Sequence, residues 1–174
     1  MNVSQACLFF FKTTVMKKNL NAIGLDKSEV KLLADKLNTL LANYQVFYLN
    51  TRGYHWNIQG EKFFELHLKF EELYTNFQLK IDEIAERILT LGKTPFHSFD
   101  DFLKNASIQP QKNVNQGREA MEQILAALQQ LLILQREILL LSAKANDEGT
   151  NALMSDYIRE QEKLVWMFGA FLKN

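Results

Sequence analysis

Cysteine is nearly absent. The single Cys7 permits no disulfide within the chain, which fits a reducing cytoplasm. Proline is almost as rare, with only Pro95 and Pro110, and there are seven glycines among 174 residues. With 47% hydrophobic residues, so few breakers favour long helices over a strand-rich fold, and the length suits one domain with an ample core. An excess of either charge is also missing. Lys+Arg and Asp+Glu are both 20, so no net charge draws the chain to nucleic acid. No apolar run approaches the roughly 18 to 20 residues that span a bilayer, and no membrane segment is expected.

Histidine is scarce too, at three, yet two of them fall in the stretch that organises the chain, Tyr54 to Arg87, YHWNIQGEKFFELHLKFEELYTNFQLKIDEIAER. It carries His55, His67, Glu71, Asp82 and Glu86. Imidazole together with carboxylate suits iron, zinc or manganese better than calcium. From Glu61 to Leu91 there is neither Gly nor Pro, and the apolar spacing predicts one helix. With His67 at 0° and about 100° per residue, Leu66, Phe70, Leu73, Phe77, Ile81, Ile84, Ile88 and Leu91 fill an arc of about 80°, the core stripe. His67, Glu71, Asp82 and Glu86 fall on another face, from about 0° to 100°. Phe64, Leu68 and Leu79 share that face, making it too apolar for plain solvent.

His67 and Asp82 lie about 22 Å apart along such a helix, too far to bind one metal. If two copies of the helix cross antiparallel about a two-fold axis near Tyr74 and Thr75, His67 of one chain faces Asp82 of the other, as an isologous contact requires. Two equivalent metal sites at a dimer interface follow, each with histidines from one subunit and carboxylates from the other. Solvated carboxylates and structural histidines are the alternative reading of the same residues.

The remaining elements follow in order. DKSE at Asp26 reads as a capping box, with Asp26 accepting an orphan N–H and Glu29 reaching back. Val30, Leu33, Leu37, Leu40, Leu41, Tyr44, Phe47 and Tyr48 predict a first helix to about His55. The short turn from Asn57 to Gly60 makes the first two helices antiparallel and brings His55 near His67. Gly92 ends the second helix. A long connection between Pro95 and Pro110 contains SFDDFL, a short helix capped by Ser98. His97 at its start has no carboxylate partner at ligand spacing and reads as structural. A third helix is expected over Asn113–Ala145, a turn over Asn146–Thr150, and a fourth helix over Asn151–Leu172 burying Leu153, Tyr157, Leu164, Met167, Phe168 and Phe171. The fold class is therefore all-α, a ferritin-like four-helix bundle with one long crossover carrying a short extra helix. The Glu-x-x-His pairs of in-bundle di-iron sites are missing: Arg52, Phe64 and Thr94 stand three before the histidines. A dry, apolar bundle interior is expected.

YHWNIQG, FFELH and IDEIAERI resemble the signature of the Dps family (DNA-binding protein from starved cells), the dodecameric miniferritins, and the similarity runs from about Lys17 to the C-terminus. The intervals between His55, His67, Asp82 and Glu86 match the family's ferroxidase ligands. The resemblance implies that these four are the catalytic iron ligands, His55 and His67 from one subunit and Asp82 and Glu86 from its two-fold mate. Glu71 takes the family's additional acidic position. Trp56 matches the aromatic residue beside the iron, a radical trap or else interface packing. Asp147, Glu148 and Asp156 cluster where the family forms acidic iron-entry pores, although a polar turn with helix-terminal charge explains them equally. The implied function is oxidation of Fe(II), preferably by hydrogen peroxide, with Fe(III) stored in a shell of twelve subunits and DNA spared oxidative damage. The expected location is the cytoplasm, with the bacterial nucleoid as a further site.

Two other functions stay open. One is non-specific DNA compaction with iron oxidation secondary; twelve tails could offset weak DNA binding by each. The other is a structural bundle with a degenerate metal site. MKKNLNAIGLDK from Met16 resembles a Dps start, so residues 1–16 read as an extension to a domain over 17–174, and residues 1–15 as a mis-assigned start or a disordered segment. CLFFF lacks a preceding Lys or Arg and makes a poor secretory signal. Lys12, Lys17 and Lys18 are the tail's candidates for phosphate contact.

Overall fold

The computed structural model describes residues 19–173. The expectations for residues 1–16, and those for Lys17 and Lys18, lie outside them. Five helices are present among the described residues: α1 Lys27–Asn57, α2 Phe63–Thr90, α3 Phe99–Asn105, α4 Gly117–Lys144 and α5 Glu148–Leu172. α1 packs on α2, α4 on α5, and α1 on α4, while α3 lies against α1. This is the expected four-helix bundle with α3 in the crossover.

Local chemistry sets the boundaries. Asp26 caps α1 by accepting from the Ser28 and Glu29 amides, and the Ser28 hydroxyl, which also donates to it, together with these amides holds its carboxyl below the ordinary range. The reciprocal half of the expected capping box does not form: the Glu29 side chain pairs instead with Lys144, 3.1 Å away. At the end of α2, Gly92 adopts φ +79°. Its N–H donates to Leu89 O at 2.8 Å and that of Lys93 to Ile88 O at 3.1 Å, closing the helix with a left-handed residue that only glycine adopts cheaply. Ser98 accepts from Asp101 N to start α3.

Two boundaries differ from expectation. α4 begins at Gly117, not near Asn113, because residues 113–116 pair with the hairpin turn: Gln59 N–H donates to Asn115 O at 3.0 Å. α5 begins at Glu148, not Asn151, because Asp147 serves as its N-cap by accepting from Thr150 N.

The core stripe of α2 is buried at Leu66, Phe70, Leu73, Phe77, Ile84 and Ile88. Phe77 meets Phe47 of α1 with ring centroids 4.4 Å apart, and each such buried side chain contributes about 1.5 to 3 kcal/mol. Met167, expected inside, is 42% exposed. By length and composition α4 is apolar enough to cross a membrane, against expectation. Its inner face is bundle core, and the excess comes from outward residues such as Ile133 and Leu140.

The crossover is held by asparagines of α1. Asn38 donates to Thr94 O and accepts from Phe96 N. Asn43 Oδ1 accepts from the Ser107 and Ile108 amides. Asn50 bonds both Gln109 O and Gln111 N. The crossover backbone on either side of α3, having no helix ladder of its own, thereby finds partners.

Candidate metal centre

The tight turn after α1 places His55 and His67 face to face, their rings stacked at 3.7 Å between centroids and 23° between planes. Phe63 stacks on the other side of His67 at 5.1 Å, and Tyr74 meets His55 edge to face at 5.3 Å. His55 Nδ1 lies 2.8 Å from His67 O, and His67 Nδ1 lies 2.9 Å from His55 O. A carbonyl only accepts, so each Nδ1 carries the hydrogen and donates. In the neutral ring the lone pair therefore sits on Nε2, which makes no hydrogen bond among the described residues. This is the orientation metal-binding histidines take when a backbone carbonyl fixes the tautomer. His55 O belongs to the last turn of α1, where carbonyls lack helix partners. The His67 ring thus also caps α1.

Glu71, Asp82 and Glu86 stand exposed on α2. Their carboxylates make no hydrogen bond or ion pair among the described residues. Asp82 and Glu86 are 15 and 19 residues beyond His67 along one helix, and no group of three His, Cys, Asp or Glu that could hold a metal occurs among the described residues. Phe64, Leu68 and Leu79, on the same side, are exposed by 77%, 63% and 62%. Trp56 is exposed by 61%, with the Arg52 guanidinium 4.8 Å above its ring. His97 lies away from this cluster, exposed, with Nδ1 3.0 Å from Pro95 O.

The bundle interior is not uniformly apolar, which corrects the expectation of an apolar core. Gln135 and Gln161 are fully buried. Both donate to Tyr44 Oη, Gln135 at 2.9 Å, and Gln135 also donates to Gln161 Oε1 at 3.1 Å. Beside them Tyr157 donates to Glu83, and the buried Lys80 ammonium lies 2.7 Å from Glu160. Burial raises the phenols of Tyr44 and Tyr157 far above their ordinary range, helped at Tyr157 by the bond to Glu83. Sequence reading missed this cluster because its members come from four helices, and glutamine spacing on a helix signals nothing.

A ferritin-like domain matches residues 34–174. The Porphyromonas gingivalis DNA protection during starvation protein is 40% identical over 156 residues, covering 90% of this chain and 98% of that protein. This chain belongs to the Dps family. An uncharacterized protein of Haemophilus influenzae is 58% identical over 149 residues, 86% of this chain and 93% of its own. The crystal structure of a Vibrio cholerae Dps, described as a member of a broad superfamily of ferritin-like diiron-carboxylate proteins, has 61% identity and a TM-score of 0.87, covering 88% of this chain and 97% of that one.

In this Dps chain the three residues expected at a pore are not equivalent. Asp147 is 2% exposed; it caps α5 and pairs with Arg87, whose Nε also donates to Thr150 Oγ1 at 2.9 Å. Glu148 and Asp156 face solvent, Asp156 beside Arg159.

Proposed function

We propose that this Dps chain oxidises Fe(II) and stores Fe(III), and that its oxidation site is shared between two subunits. The observation that carries this reading is the reciprocal lock of His55 and His67, which leaves two Nε2 lone pairs free on adjacent rings. In the two-fold arrangement, Asp82 and Glu86 of the mate complete the site and Glu71 adds a carboxylate beside a second iron position. The exposed apolar face of α2 and the unpartnered carboxylates support a contact between copies there. Iron is the substrate. Imidazole and carboxylate together bind it while leaving coordination positions for an oxidant, and hydrogen peroxide takes two electrons from a pair of Fe(II) without releasing hydroxyl radical. The ferric product is stored within a shell of twelve subunits in the cytoplasm. The relatives are named for DNA protection, and removing Fe(II) and peroxide together provides it.

Glu148 and Asp156 are the entry-pore candidates that keep their carboxylates at the surface. Asp147 spends its carboxylate on Arg87 and the α5 amides, so it supports the wall of that pore.

The test is anaerobic. Purified protein is loaded with Fe(II), peroxide is added, and ferric absorbance is followed beside a hydroxyl-radical trap. Fast oxidation with little trapped radical is expected. Oxidation no faster than in buffer, or an ordinary radical yield, overturns the proposal.

A further inference from the structure

A cavity of about 150 Å³ lies between α1, the crossover after α3, and α4. Its cause is local. Asn50 holds the crossover in place by bonding Gln109 O and Gln111 N, and α4 lines the space with small side chains, Ala126 and Ala127. Phe47 and Ile108, both buried, give the cavity apolar lining. A space of this size holds one benzene-sized ring.

Tyr54 is 3% exposed and lines the cavity, yet its hydroxyl makes no hydrogen bond among the described residues. Buried phenols ordinarily find a partner. The fully enclosed side-chain atoms without one, among the described residues, are Asn76 Oδ1 and Gln135 Oε1. The Tyr54 hydroxyl therefore reaches open space, and the open space that Tyr54 lines is this cavity. Burial and the Glu119 carboxylate raise the phenol, so at neutral pH it keeps its proton and has it to donate. From α4, Gln123 and Gln130 also line the cavity, and their carboxamides make no hydrogen bond among the described residues. Each offers a donor and an acceptor.

Charge narrows the occupant. Among the described residues no charged side chain lines the cavity, so an ion entering it would lose hydration with no countercharge in return. We propose that this cavity binds a small uncharged ring compound whose edge carries a primary carboxamide or an equivalent donor–acceptor pair. The ring packs on Phe47 and Ile108, the Tyr54 hydroxyl donates to the ligand carbonyl, and a glutamine carboxamide of α4 exchanges bonds with the same edge. The site is independent of the iron reading of His55 and His67.

The experiment titrates the full-length protein with benzamide, benzoate and benzamidinium, which share a shape and differ in charge, and reads binding by saturation-transfer NMR on each ligand. Benzamide is expected to bind at least about tenfold tighter than either ion. Tyr54→Phe removes only the unpartnered hydroxyl, and should weaken benzamide about five- to tenfold while leaving the urea midpoint at neutral pH unchanged. Ala126→Leu, at an exposed position on the cavity wall, should abolish binding by filling the space. No binding of benzamide, equal binding of all three compounds, or affinity unchanged in either variant overturns the proposal. A lowered urea midpoint in Tyr54→Phe gives the hydroxyl a partner within the protein and overturns it as well.

Discussion

Two polar clusters interrupt the apolar packing of this chain, and they differ in what they leave over. In the bundle interior, Tyr44, Gln135 and Gln161 bond chiefly to one another, and only Gln135 Oε1 lacks a partner. At the hairpin, His55 and His67 use one nitrogen each on a carbonyl and keep the other. The carboxylates of Glu71, Asp82 and Glu86 are likewise unused among the described residues. Burial alone would rank the interior cluster as the more notable site. Spare bonding capacity points to the hairpin, and that is the more useful criterion, since a ligand needs groups with something left to offer.

The distinction is open to attack by substitution. The largest effect is expected from His67→Ala, which should slow peroxide-driven Fe(II) oxidation by about 100-fold, or about 2.7 kcal/mol, in stopped-flow absorbance. A rate within a few-fold of the parent would erase the contrast between the clusters. Tyr44→Phe should do the reverse. Losing the acceptor of two buried amides should cost about 2 kcal/mol of stability in denaturant melts, with the oxidation rate unchanged.

Alkaline pH sharpens the same contrast. Burial raises the phenols of Tyr44, Tyr54 and Tyr157 in the folded chain. Their contribution is therefore complete below the unfolded value of about 10 and is lost as pH rises beyond it, at up to about 1.4 kcal/mol per pH unit for each phenol. Urea midpoints taken across this range should fall with pH, and Tyr44→Phe should flatten the fall. The smallest effect belongs to the surface: Glu148→Asn with Asp156→Asn should slow iron uptake by about two- to five-fold at low salt, through loss of focused charge, with assembly by light scattering unaltered. Unchanged uptake would remove both from the entry path.

Much of the fold is legible in the sequence because helices announce themselves by period and by breakers. The α2 stripe, the Gly92 stop and the Ser98 cap all appear where spacing predicts them. The start of α4 escapes such reading because residues 113–116 are recruited by Gln59, a partner more than fifty positions earlier. The crossover asparagines escape it for the same reason: Asn38, Asn43 and Asn50 look like interruptions of an apolar stripe, and only tertiary contact gives them a purpose. For the candidate site, sequence spacing brings His55 and His67 together but gives no ring orientation. The Nδ1–carbonyl bonds depend on how closely two helices approach at a turn, which no residue pattern records.

The bond from His67 to the His55 carbonyl closes the last turn of α1 and at once aims the Nε2 proposed to bind iron. Hairpin closure and site readiness are therefore one event. Because the two bonds are reciprocal, fraying of the hairpin is expected to release both rings together, and on warming the proposed sites should then be lost in number before they weaken one by one.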